Sequence, residues 1–221
     1  MSLSRKLTAE FLGTAFLLAI VVGSGIMGEK LANGNNAVAL LANSIATGTG
    51  LIFLILSFGD VSGAHLNPAV TLAETFRGNL SWRENFFYIL SQTAGAFFGV
   101  GIANLMFDLP VYFTSTKIRT GNSQFLSEFV ATFGLIAVIR AGIKFRPNLV
   151  FLMVASYITA AYWFTASTSF ANPSVTLARS VTDTFAGINP SDVLMFIVAQ
   201  LLGAFSATFV FNWLLEEKRN V

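Results

Sequence analysis

Two asparagines, Asn67 and Asn172, are the residues of this chain best placed to handle a small polar molecule. They lie in segments that nearly repeat: His65-Leu66-Asn67-Pro68-Ala69-Val70-Thr71-Leu72-Ala73 and Phe170-Ala171-Asn172-Pro173-Ser174-Val175-Thr176-Leu177-Ala178. From the Asn onward six of seven positions are identical, and the copies stand 105 residues apart in a chain of 221. Asn is a good helix N-cap, and Pro is favoured at the first helical position. Each segment is therefore expected to open a short helix whose amino end carries partial positive charge. The side-chain amides add hydrogen-bond donors. This is binding chemistry, not covalent chemistry. His65, the sole histidine, has no carboxylate or Cys cluster spaced to make it a base or a metal ligand. There is no nucleophile–base pair, no phosphate loop and no metal spacing. With no cysteine, disulfides and thiol chemistry are absent. The expectation is a non-enzymatic protein with no cofactor, no metal and no nucleic-acid partner.

The elements around these segments belong in a lipid bilayer. Hydrophobic residues make up 54% of the chain and charged residues 11%, against about a quarter charged in a soluble domain. No charge occurs in 11–28, 31–59, 85–107, 147–178 or 193–215. A span needs about 20 mostly apolar residues, so six fit, at roughly 7–27, 37–59, 84–107, 124–143, 149–168 and 192–215. Arg5-Lys6 before an apolar run has the look of a signal peptide. Glu10 interrupts the apolar core, however, and a full span follows, so a retained first helix is expected. With the N-terminus inside, nine Lys and Arg lie on the inner side and four (Lys30, Lys117, Arg119, Arg179) on the outer. The excess of inner positive charge predicts both termini in the cytoplasm.

The repeat extends beyond the Asn-Pro segments. Glu10-Phe11 with Thr14 matches Glu128-Phe129 with Thr132, and Gln92 with Gly95-Ala96-Phe97 matches Gln200 with Gly203-Ala204-Phe205. Each half holds three spans, an odd number, so the halves must be inverted relative to each other. The chain thus reads as an all-α membrane protein of six transmembrane helices plus two re-entrant half-helices in an inverted 3+3 repeat. It is one channel domain, 1–221, with half-repeats over 1–110 and 120–221 and a joining loop near 108–123. Irregular backbone at membrane depth is tolerated only where it lines a cavity or is buried in protein. The half-helices should therefore meet head to head at the midplane, with Asn67, Pro68, Ala69, Asn172, Pro173 and Ser174 at the centre. The symmetric carboxylates Glu10 and Glu128 are better explained as acceptors for the two loops than as proton carriers. His65 is expected on the cytoplasmic-side pore wall.

With these residues the chain resembles the aquaporin and aquaglyceroporin (major intrinsic protein) family over essentially its whole length. The six spans, the paired boxes, Ser62-Gly63-Ala64-His65 before the first, and the Glu10 and Glu128 positions carry the resemblance. It implies a homotetramer in the lipid bilayer of a bacterial inner membrane, with one channel per subunit for water or small neutral solutes. Two departures stand out: the second box reads Asn172-Pro173-Ser174, and the family's arginine three residues after the Asn is replaced by Val175. Ungapped counting, 20 residues before Asn67 and 12 and three before Asn172, completes the family's selectivity filter with Thr47, Ala160 and Ser169. Thr47, Ala160, Ser169 and Val175 are small and uncharged, which predicts a pore wide enough for polyols. These departures also look like those of a bacterial subgroup associated with arsenic handling, which implies protonated arsenite or methylated arsenicals as solutes. Arg179, one turn beyond Val175, either tunes the outer vestibule or pairs with Asp183 four residues on. A water-selective channel and a proton-coupled carrier are the alternative functions.

Overall fold

The computed structural model describes residues 1–215. Among them are eight α-helices: α1 (Leu3–Leu31), α2 (Asn36–Ser62), α3 (Pro68–Phe76), α4 (Trp82–Met106), α5 (Asn122–Phe145), α6 (Val150–Phe164), α7 (Pro173–Ala178) and α8 (Pro190–Leu215). Short 3-10 turns precede α6 and follow α7. Six helices, with α6 counted from its 3-10 turn at Pro147, are long and apolar enough to cross a membrane. Their ends fall within a few residues of the predicted spans. Lys218 and Arg219, two of the nine inner positive charges, lie outside the described residues.

Each half follows the same order of two long helices, a short one and a third long one, and the halves are inverted. The pairs α1–α4 and α5–α8 pack most extensively in their respective halves. Glycine makes this possible at matching places. A Cβ at Gly95 would overlap the carbonyl oxygen of Phe11, and one at Gly203 would overlap that of Phe129. In a bilayer, where apolar contact alone does not drive helices together, such close backbone approach supplies the packing. Polar ties add to it. Asn43 on α2 donates to the Val21 carbonyl at 2.8 Å, and Tyr157 on α6 donates to the Ala131 carbonyl at 3.0 Å.

The joining loop is not a free tether. Its Phe113 and Ser115 amides bond the carbonyls of Val181 and Ser180 at 3.0 and 2.9 Å. Arg119 N donates to Asp192 on α8 at 2.7 Å. The loop therefore braces the mouth that α7 opens onto.

Candidate functional site: a pore between two half-helices

Why α3 and α7 start where they do follows from their first residues. Asn67 is extended, and its side-chain oxygen accepts from Ala69 N at 2.9 Å. Asn172 accepts from Ser174 N and Val175 N at 3.0 and 3.3 Å. The two prolines stand at the first helical positions. The preceding residues are in the left-handed region, Leu66 at φ 49° and Ala171 at φ 48°. For residues with a Cβ this costs roughly 1–2 kcal/mol each, so the surroundings must hold it. They do so through the boxes themselves: Asn67 Nδ2 donates to Ala171 O at 2.7 Å, and Asn172 Nδ2 donates to Leu66 O at 2.8 Å.

A buried carboxylate grips each loop from behind. Glu10 Oε1 accepts from His65 N (3.0 Å) and Ser62 Oγ (2.6 Å), and Oε2 accepts from Leu66 N (2.7 Å) and Gln92 Nε2 (2.8 Å). Glu128 accepts from Phe170 N and Ala171 N at 2.9 Å each, and from Gln200 Nε2 at 2.6 Å. Gln92 and Gln200 also bond the hydroxyls of Thr71 and Thr176 on the half-helices at 2.9 and 2.7 Å. A buried charge is tolerated only when such donors surround it. Four donors thus engage Glu10 and three engage Glu128, and both carboxylates hold the loops in place.

Between the two boxes runs a cavity of about 420 Å³. Asn67 and Asn172 line its middle. His65 lines it on one side, its Nδ1 3.1 Å from Thr71 Oγ1 and its ring against Tyr88. Glu74, held by Arg77 at 2.8 Å and Asn79 at 2.6 Å, marks the mouth on that side. Pro68, Ala69, Pro173 and Ser174 are buried behind the Asn pair, with Ser174 Oγ 2.9 Å from Thr93 Oγ1.

Toward the opposite mouth, Thr47, Ser169 and Val175, three of the four residues reached by counting, line the cavity, and the Ser169 hydroxyl has no partner among the described residues. Ala160 does not line it and is exposed on the outer face of α6. The pore-facing residues of α6 are Val150, Val154, Ile158 and Tyr162, spaced by four. Position 160 is two residues from Ile158 and from Tyr162, about 200° around the helix. Ungapped counting fails here because it fixes a residue number, not a helix face. Tyr162 takes the place instead, its hydroxyl 3.1 Å from Thr47 Oγ1. The stripe of four was the available signal.

Arg179 reaches the pore. It is 2% exposed, lines the cavity, donates from Nε to the Ala186 carbonyl, and lies 3.3 Å from the centroid of the Phe170 ring. Burial and the nearby Arg119 cation pull its pKa down to about 9, which leaves it charged at neutral pH. It does not pair with Asp183, whose carboxylate accepts from Thr116 N at 2.9 Å. Arg119 donates from Nε to the Gly187 carbonyl at 2.9 Å and sits 4.9 Å from the same ring. Arg119 is a site residue with no repeat or motif to announce it, whereas Phe170 opens the second repeat segment and Tyr162 ends the stripe of four on α6.

A lined passage between paired half-helices is the anatomy of a solute channel. The chain matches the family described as Major intrinsic protein over residues 1–150 and 144–221, and it belongs to that family of multi-pass membrane channels. It is 53% identical over 219 residues to the aquaglyceroporin AqpS of Rhizobium meliloti (strain 1021), covering 99% of this chain and 94% of that protein. To aquaporin NIP1-1 of Arabidopsis thaliana it is 30% identical over 224 residues, covering 94% and 73%. The X-ray structure of the aquaglyceroporin from Plasmodium falciparum aligns at a TM-score of 0.73 and 21% identity over 97% of both chains, a likeness of fold.

Proposed function

We propose that the chain forms a passive channel for small neutral solutes, namely water and glycerol-like polyols, with protonated arsenite and methylated arsenicals as further candidates. The observation that carries this reading is the wall made by Thr47, Ser169, Val175 and Tyr162 on a cavity of about 420 Å³. These four groups are uncharged and three of them are small, while Arg179, which lines the same cavity, is held against the Phe170 ring and the Ala186 carbonyl. A polyol can exchange water for Ser169 and Thr47 hydroxyls there, whereas an ion must shed its hydration beside two helix amino ends. The name of the AqpS relative, an aquaglyceroporin, agrees with polyol passage. The arsenical reading rests on resemblance and on size and neutrality alone.

In this reading the two half-repeats form one channel domain, four copies assemble as a homotetramer, and both termini face the cytoplasm of a bacterial inner membrane. The test is stopped-flow light scattering on proteoliposomes, comparing osmotic water flux with glycerol entry. Rapid glycerol entry is expected, with arsenite uptake measured next. Water flux without glycerol entry would reduce the protein to a water channel. Accumulation of solute against its gradient would make it a carrier.

A further inference from the structure

A second cavity, of about 270 Å³, adjoins the pore on the Arg179 side. Its walls include Glu29, Asn36, Asn43, Lys117, Arg119 and Arg179. Glu29 is the only carboxylate among its lining residues, and it is engaged by Lys117 at 3.7 Å. Among the described residues no carboxylate lies within ion-pair distance of Arg119 or Arg179. Each guanidinium is anchored through Nε to a backbone carbonyl of 186 or 187, Arg119 reaches the Ser167 carbonyl with a terminal nitrogen at 3.4 Å, and both sit against Phe170. Two unpaired cations, one almost fully buried, are expensive to hold together. Asp192 does not relieve this, because it accepts from Arg119 N and Thr120 Oγ1 rather than from a guanidinium. The guanidinium fork is shaped for the oxygens of carboxylate or phosphate.

We infer that this vestibule is a binding site for a small free oxyanion, with Arg119 and Arg179 as its ligands. Because Arg179 belongs to the walls of both cavities, a bound oxyanion stands against the pore entrance and slows neutral solutes entering from that side. The site would discriminate before the pore does: anions are collected at the mouth, and only neutral molecules continue.

The probe is inorganic phosphate, added to proteoliposomes against an osmotically matched neutral sugar. Saturable slowing of glycerol entry is expected in the unmutated protein. In R119Q, with slowing read against that variant's own phosphate-free glycerol rate, the phosphate concentration for half-slowing should rise about tenfold or more, the value of one charge-assisted hydrogen bond. Slowing of equal size in both, or in neither, overturns the inference. Labelling with phenylglyoxal gives a second readout that needs no variant and no flux. Phosphate should protect Arg119 while leaving the exposed Arg5 reactive. Unprotected Arg119 overturns the site, and full protection by phospholipid without added phosphate overturns its assignment to a free ion. The inference rests on the channel reading only for its effect on flux. If glycerol does not enter at all, the proposed function fails while the labelling still decides the site.

Discussion

Asn67 and Asn172 each hold the other's loop. Through bonds of 2.7 and 2.8 Å, each side-chain amide ties down the carbonyl that precedes the opposite box. An amide nitrogen carries two hydrogens, so the tie consumes one and leaves one per Asn for the lumen. The same side chains cap their own helices with their oxygens. One residue type therefore sets the helix start, the spacing between halves and the central donor.

Replacing Asn67 with Ala should remove the cap, at about 1 kcal/mol, and leave the buried Ala171 carbonyl unpaired, at a further 1–3 kcal/mol or so. A lower melting temperature in detergent and slower glycerol entry are expected. Asn67→Asp keeps the cap yet cannot donate to Ala171 O, so it should share the transport loss. A variant Asp channel as fast as the unmutated one would show that the cross-tie does not matter.

Glu10→Gln should be costly despite its near-identical shape. The neutral amide offers one acceptor oxygen where two now take four hydrogen bonds. Hydrogen bonds to a charged group contribute about 1.5–3 kcal/mol each, so loss of folded yield is the expected result. Glu128→Gln should fail in the same way, since two loop amides and a glutamine also bond that carboxylate, three donors against four at Glu10. Thermal unfolding of the two variants side by side checks this, and a large difference between them would break the symmetry argument.

Gly95→Ala and Gly203→Ala should each impair assembly, by about 1–3 kcal/mol for an overpacked contact. The added methyl meets backbone oxygen, which cannot swing aside as a side chain can. Gly59→Ala is the control, since nothing lies within 4 Å of its Cβ. Expression level and monodispersity in detergent report the outcome.

Two substitutions separate the observed pore face of α6 from the counted one. Ala160→Leu should leave glycerol flux unchanged, because the side chain points outward. Val175→Arg should narrow the lumen and cut glycerol entry more than water flux. Glycerol flux lost in the first and kept in the second would restore position 160 to the filter.

What could be read from the residues alone was whatever the chain states twice. The Asn-Pro boxes, Glu10 with Glu128 and Gln92 with Gln200 stood out because each half repeats them, and the six apolar runs gave the spans. What escaped was set by faces and loops. Ala160 was misplaced because the count back from Asn172 runs through left-handed residues at 168, 169 and 171 and fixes only a number, whereas the lumen face of α6 follows the stripe at 150, 154, 158 and 162. Arg179 could not be assigned between the pore and Asp183, since the Phe170 ring that holds it is brought there by that same loop. Arg119 depends on the joining loop docking at the mouth, a contact with no local pattern.

The reciprocal tie between the boxes also bears on biosynthesis. Leu66 O and Asn67 Nδ2 find their partners at residues 172 and 171, more than 100 positions later. While the ribosome is still making the second half, the first can satisfy its loop through Glu10 and Gln92 but cannot close its lumen. The nascent chain must therefore keep a polar notch sheltered from lipid until α7 arrives, and chain truncations ending before and after 172 should mark the point at which the membrane insertion machinery lets go.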